Sequence, residues 1–419
     1  MINRKRLSNG ITVVLETMPY LRSAALGVWV KVGSSNENEN NNGISHIIEH
    51  MLFKGTKKRT AKQIADDMAR IGGDINAYTS KECTSFYAVT LDEHLPAAIE
   101  ILGDMLNNSL IDEKALKKEK GVIIEEIDMY DDSPEDLVHE MLQMKVWDKH
   151  PLGYQISGKK EIVRAITREE ILDFMSQYYV SGNMVISVAG NFKEDEIMDL
   201  LEAHFSGIPK GPRQPGCSAP QYHPAIYTKE KDVEQLHLNI AFESVVADAE
   251  EKYALTILNS VLGGSINSRL FQVIRENLGL TYTIYSYGSS YKKAGLLHIY
   301  GAMNPIQLEE VFANTFRVIE DLKENGITDD ELCMTKEQIK TELIMGNESA
   351  KNRMNSNGKS ILLRDYIIPL DETISKINNV TRDEITDFAR KYLNKENCSL
   401  SLVGNLEGIE QFSFLRDRI

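Results

Sequence analysis

Cysteine is scarce in this sequence: Cys83, Cys217, Cys333 and Cys398 are the only four in 419 residues, and no two form a CxxC pair. That scatter excludes a zinc knuckle and gives no basis for a disulfide frame, so the four read as small, reduced residues of an intracellular protein. Basic charge is also short. Lys and Arg number 47 against 62 Asp and Glu, a net charge of −15. This balance argues against nucleic acid or an anionic membrane as the main partner. Long apolar runs are missing as well. Polar Asn3–Arg6 leads to a turn at Asn9-Gly10 with no signal-peptide core, and no segment approaches the ~20 apolar residues of a membrane span. The expectation is a cytoplasmic chain that starts at or near Met1 and has no membrane partner.

Proline is thin except in one place. Pro209, Pro212, Pro215, Pro220 and Pro224 crowd one stretch with Gly207, Gly211 and Gly216. No helix or central strand tolerates that density. Residues 208–224 are therefore expected to be a semi-rigid linker between domains. What remains is ordinary globular material, 42% hydrophobic and 26% charged, and long enough for two domains.

Hydrophobic periodicity predicts strands at 11–16, 23–33, 74–79 and 84–92, and helices at 60–71, 95–108, 112–130 and 134–147. A helix at 167–180, a strand at 183–190 and a helix at 193–204 follow. The connection Gly33–Gly43 has no hydrophobic residue and reads as a surface loop. The tail after Asn405 carries Phe412, Phe414 and Leu415 amid charges and supports no structural assignment.

An internal repeat divides the chain. Thr167-Arg168-Glu169-Glu170-Ile171 through Ala189-Gly190-Asn191 recurs as Thr381-Arg382-Asp383-Glu384-Ile385 through Val403-Gly404-Asn405, at a constant offset of 214. Eleven of 25 aligned positions are identical, too many for a shared helix-then-strand preference. The expected fold is α+β: duplicated modules at 1–207 and 225–419, each a mostly antiparallel sheet covered by helices. The same offset takes His46–His50 onto Ser260–Gly264, which lacks every ligand.

One stretch carries the chemistry, Gly43-Ile44-Ser45-His46-Ile47-Ile48-Glu49-His50-Met51-Leu52-Phe53. Its apolar residues follow helical spacing, so His46 and His50 share a face, with Glu49 beside them. Two imidazoles at that spacing can grip one metal ion, and a neighbouring carboxylate can take a proton from water held there. The order is HxxEH, the inverse of the HExxH zinc helix. A catalytic zinc needs a third protein ligand, and the residues alone do not choose it among the many acids.

The segment His46-Ile47-Ile48-Glu49-His50-Met51-Leu52-Phe53-Lys54-Gly55-Thr56 resembles the pitrilysin/insulinase family of zinc peptidases, in its half-length, mitochondrial-processing-peptidase-like branch. In that family a carboxylate about 76 positions past the second His completes the site, with another Glu seven residues earlier. Counting from His50 reaches Glu126, with Glu119 before it. The resemblance implies one Zn2+ per chain on His46, His50 and Glu126, Glu49 as general base and Glu119 supporting a ligand. It implies that Asn76 and Ala77 on an edge strand bind the substrate main chain. It also implies that Arg275 and Tyr282 bind a substrate carbonyl and its oxyanion. Each module would be a processing-peptidase-like α/β roll, and the two together half of a clamshell. Because one chain is half of such an enclosure, a homodimer with sites completed across subunits is expected. The implied activity is hydrolysis of unfolded peptides or presequence-like segments. The alternatives are a non-catalytic assembly subunit of the same superfamily and a metal-dependent hydrolase of something other than peptides.

Overall fold

The computed structural model describes residues 2–407, so Phe412, Phe414 and Leu415 lie outside the described residues. In chain order the first half forms β1 (Ile2–Arg6), β2 (Thr12–Thr17), β3 (Ser23–Val30), α1 (Ile44–Leu52), α2 (Ala61–Arg70), β4 (Asp74–Thr79), β5 (Thr84–Leu91), α3 (Leu95–Asn108), α4 (Glu113–Asp132), α5 (Pro134–Val146), α6 (Lys160–Ala165), α7 (Arg168–Tyr178), β6 (Met184–Gly190) and α8 (Glu194–Phe205). The second half forms β7 (Ile226–Glu230), β8 (Leu236–Glu243), α9 (Lys252–Leu262), β9 (Thr281–Ser290), β10 (Gly295–Met303), α10 (Leu308–Asn325), α11 (Asp329–Gly346), α12 (Ala350–Arg364), α13 (Leu370–Asn379), α14 (Arg382–Tyr392) and β11 (Ser399–Gly404). No helix among the described residues is long and apolar enough to cross a membrane. The proline-rich stretch between α8 and β7 forms neither helix nor strand.

Two sheets result. One has the order β1-β2-β6-β3-β5-β4, the other β7-β11-β8-β10-β9. Without β1 the two orders are the same, strand for strand. Each has one parallel pair, β2 with β6 and β7 with β11, and is otherwise antiparallel. The duplication is thus written in topology as well as in residues. Strand β1 was not anticipated, because Ile-Asn-Arg-Lys-Arg reads as polar coil. It pairs antiparallel with β2, Ile2 opposite Glu16 and Arg6 opposite Thr12, as a charged edge strand of the kind that discourages further pairing.

The offset of 214 holds at both ends of α7 and α14 but drifts elsewhere. Aligning the C-termini of α1 and α9, Leu52 with Leu262, sets His46, Glu49 and His50 opposite Thr256, Asn259 and Ser260 rather than Ser260, Gly263 and Gly264. Connections of unequal length between strand and helix cause the slip. The copy lacks the ligands in either alignment.

The compact units are not contiguous in sequence, unlike the expected modules 1–207 and 225–419. Unit 1 takes the chain up to Ile127, Tyr154–Cys217 and Ile344–Ile367; unit 2 takes Asp128–Gly153, Ser218–Leu343 and the chain from Ile368. Each half of the sequence therefore contributes one helix to the sheet of the other half: α12 covers β3 and β6, and α5 covers β11 and β8. Short loops hold α5 to α4 and α12 to α11, but the apolar face of each helix finds its sheet in the other repeat.

In unit 1, α12 lies on Trp29, which is fully buried with Met354, Ile361 and Leu362. Arg353 makes a two-pronged ion pair with Glu16, both contacts 2.7 Å, and Asn357 Nδ2 donates to the same carboxylate at 2.7 Å. Gly358 permits the close approach, since a Cβ there would stand 2.4 Å from the Trp29 ring. Glycine inside a helix normally costs about 1 kcal/mol relative to alanine. Here the clash reverses the sign, and Gly358→Ala is expected to destabilise unit 1 by about 1–3 kcal/mol, as overpacking does. The check is a thermal melt; a midpoint equal to or above wild type would show that Trp29 yields freely.

In unit 2, α5 lies over a histidine–tyrosine cluster. His139 Nδ1 meets Tyr287 Oη at 2.7 Å and Asn239 Nδ2 at 3.0 Å, His237 Nδ1 meets Tyr300 Oη at 2.8 Å, and His298 stacks on Tyr287 with ring centroids 4.6 Å apart. Burial pushes His298 down to about 3 and His139 down to about 4, and lowers His237. The carboxylates of Glu135 and Asp136 on α5 pull the other way on His237 and His139 without overcoming burial. An unfolded histidine titrates near 6.5. Below that pH the unfolded chain takes up protons that the folded cluster refuses, so its stability is complete above about 6.5 and is lost as pH falls towards 4 and 3. The thermal midpoint should therefore drop steeply between about pH 6.5 and pH 4. A flat profile across that interval would sink the assignment.

Candidate metal centre

Helix α1 starts without a side-chain cap of its own. Gly43 precedes it at φ +99, where an L side chain is strained, and a Cβ there would lie 2.8 Å from the Ser157 carbonyl oxygen. The cap comes from Glu37. Its Oε2 accepts Gly43 N–H at 2.7 Å and Asn42 Nδ2 at 2.9 Å, and its Oε1 accepts Ser45 N–H at 2.9 Å. Burial raises the Glu37 pKa while these donors favour its charged form. The Gly33–Gly43 connection is consequently not the surface loop its polarity suggested: Ser34, Ser35, Glu37 and Asn42 are buried. The first N–H groups of a helix need acceptors, and this polar loop folds inward to supply them.

Ile44, Ile47, Ile48, Met51 and Leu52 anchor α1 in the core of unit 1. That fixes the opposite face, where His46 and His50 sit edge-on with ring centroids 4.7 Å apart. Helix α4 arrives with a buried stripe of Leu116, Glu119, Ile123 and Ile127. Glu126 Oε2 stands 3.8 Å from His46 Nε2 and 3.6 Å from His50 Nε2. The ligating atoms of His46, His50 and Glu126 all lie within 4.8 Å of one another. Glu125, the neighbour, is exposed.

Glu119 occupies a core position of its stripe and is buried. Its Oε2 faces His50 Nδ1 at 3.3 Å, and its Oε1 takes Lys54 Nζ at 2.8 Å. A carboxylate so placed can orient an imidazole and leave its other nitrogen for a ligand. His46 Nδ1 is buried and has no hydrogen-bond partner among the described residues. Glu49, beside the cluster, accepts the Thr79 hydroxyl on Oε2 at 2.5 Å. Burial, the largest influence, raises the Glu49 pKa against that hydrogen bond. Burial and the charge of His50 lower His46 to about 4, so it is neutral, the form that ligates metal. Burial opposes charge on His50, yet Glu126 and Glu119 raise its pKa overall; the adjoining His50 ring in turn lowers that of Glu126.

Two imidazoles and one carboxylate are the donor set of a catalytic zinc site. Atoms about 2 Å from a shared ion in tetrahedral geometry lie about 3.3 Å apart. The separations to Glu126 exceed that by a few tenths of an ångström and all three atoms lie within 4.8 Å, so the donor set suits the ion once the three side chains draw together around it.

Among the described residues strand β4 is an edge of its sheet. The Ala77 N–H is taken by Asn76 Oδ1 at 2.8 Å rather than by a strand partner. Arg275 and Tyr282 belong to unit 2. Arg275 lies in a π-helical segment, Phe271–Asn277, its guanidinium 4.5 Å from the centre of the Phe271 ring and 4.6 Å from that of Tyr282. Tyr282 is 74% exposed, so the pair is assembled and open to solvent. Glu37, Lys54 and Thr79 are contributors that the sequence did not announce. Lys54 alone carried a signal, sitting inside the quoted motif.

Comparison with known proteins identifies the family. The family model described as "Insulinase (Peptidase family M16)" matches residues 12–160, and that described as "Peptidase M16 inactive domain" matches residues 165–339. A Bacillus subtilis protein named "Uncharacterized zinc protease YmxG" is 42% identical over 96% of this chain and 98% of its own. Among solved structures, a protease from Helicobacter pylori superposes with a TM-score of 0.90 at 22% identity, covering 96% of this chain and 99% of its own. A chain of complex III2 from Candida albicans superposes at 0.87 with 18% identity, covering 100% and 99%. These two likenesses speak for the fold. The motif, the matching models and the near full-length relatives place the chain in the insulinase family, peptidase family M16, in its half-length bacterial form.

Proposed function

We propose that this chain is a zinc-dependent endopeptidase acting on unfolded peptides. The observation that carries the reading is the convergence of His46, His50 and Glu126 within 4.8 Å, with Glu49 alongside. His46 Nε2, His50 Nε2 and a Glu126 oxygen would hold the ion. Bound there, zinc supplies Lewis acidity, polarising a carbonyl and making water a nucleophile near neutral pH. Glu49 does the proton work. Thr79 orients the carboxylate through Oε2, and the carboxylate would receive the proton of the attacking water and return it to the departing amide nitrogen. An extended substrate would add to β4 through main-chain hydrogen bonds, displacing Asn76 Oδ1 from the Ala77 N–H. Arg275 and Tyr282 would bind the carbonyl and stabilise the oxyanion, supplied by the second copy of a homodimer.

The test is digestion of a peptide library with and without chelator, beside elemental analysis. Chelator-sensitive cleavage and about one zinc per chain are expected. A chain that is near zinc-free after gentle purification and cleaves nothing would favour the assembly-subunit reading, to which the fold likeness to a complex III2 chain lends support. Subunit sharing has its own test. Mixing Tyr282→Phe with Glu49→Gln should restore activity that neither variant has alone, because one of two mixed sites then carries both groups intact. No recovery after verified subunit exchange would overturn it.

A further inference from the structure

The strand that would receive the peptide and the carboxylate that would move the proton are joined at one residue. Thr79 is the last residue of β4. Side chains alternate along a strand, and here Ile75 and Ala77 pack into the cluster that contains α1, while Tyr78 packs with Trp29 and α12. Thr79 shares the face of Ile75 and Ala77, and its hydroxyl donates to Glu49 Oε2 at 2.5 Å. The Thr79 main chain also favours the charged carboxylate, so both contacts come from one residue of the strand. Threonine suits the task because β-branching restricts χ1, so the hydroxyl keeps its aim with little loss of entropy.

We propose that Thr79 is a positioning residue that holds Glu49 in register with the edge strand, so that strand addition and proton transfer are set by one rigid element. The inference rests on the peptidase reading and adds a residue that the motif does not contain. A carboxylate on a helix next to a cleft has three torsions to explore. Tying the carboxylate to Thr79 fixes its orientation relative to whatever backbone lies along β4. Displacement of a reacting group by about 1 Å can cost on the order of 100-fold in rate. Thr79 therefore belongs to kcat rather than to binding, since its hydroxyl is engaged with Glu49.

The experiment compares Thr79→Val and Thr79→Ser with wild type in a quenched-peptide assay, with zinc content and thermal midpoint measured for each. Val is nearly isosteric and removes only the hydroxyl. It should lower kcat about tenfold or more, with KM within about twofold and zinc retained. Ser should recover most of the loss. In the Glu49→Gln background, where peptide binding is read without turnover, Thr79→Val should leave the affinity within about twofold. A wild-type kcat in Thr79→Val, a Ser variant as slow as Val, or a loss carried by KM or by peptide affinity would each overturn the proposal. If the wild-type chain shows no chelator-sensitive cleavage, the peptidase reading itself falls, an outcome separate from any pattern within the Thr79 series.

Discussion

Glu49→Gln should abolish turnover, by about 10³-fold or more in kcat, while zinc stays bound at wild-type stoichiometry. The geometry separates the two functions. Glu49 lies beside the ligand cluster without belonging to it, and its Oε2 is committed to Thr79. Glutamine keeps the shape and can still accept that hydroxyl, so the fold and the ligand set should be undisturbed. What it loses is a basic oxygen. Burial has raised the Glu49 pKa, which is what a general base working near neutrality requires. Quenched-peptide kinetics and elemental analysis on one preparation decide the matter. Turnover at the wild-type rate would remove Glu49 from the mechanism, and loss of zinc would make it a ligand.

The second large effect concerns α4. Glu126→Gln should weaken zinc binding by well over 100-fold and take activity with it, because two imidazoles without an anionic third donor hold the ion poorly. Glu119→Gln should weaken it by about 10–100-fold, the usual cost of losing the partner that orients a ligand histidine. Glu119 is buried against His50 Nδ1 and tied to Lys54, so part of its effect should be repaired by excess zinc. Glu125→Gln should change nothing, since that side chain is exposed. Competition with a chromophoric chelator gives the three affinities. A Glu125 variant as weak as the Glu126 variant would show that α4 presents a different face to the ion than the one described.

Much of this site is legible in the sequence. A period of 3.6 residues put His46, Glu49 and His50 on one short helix, and α1 runs over Ile44–Leu52. A spacing of seven put Glu119 and Glu126 on one side of α4, where both now meet His50. Residues that contribute through long-range contacts were not legible. Glu37 looked like solvent-facing loop because its role depends on the N–H groups of Gly43 and Ser45, and no pattern in a polar stretch marks an inward-turned carboxylate. Thr79 looked like any strand threonine, because the helix it reaches lies thirty residues away. Strand β1 hid behind its charges, since an edge strand needs only main-chain pairing and half a face of cover.

By itself the sequence determined what depends on local spacing: which residues share a helix face, where backbone regularity fails at the proline-rich stretch, and that one pattern is used twice. The tertiary structure alone decided how the copies share material. Helices α5 and α12 are repeat equivalents that each cover the sheet of the other half of the chain. The physical reason is that an amphipathic helix specifies a partner surface, not a partner address. The two sheets have the same strand order, so either could offer such a surface. Only the packed chain shows that Gly358 fits beneath Trp29 and that His139 of α5 closes over Tyr287.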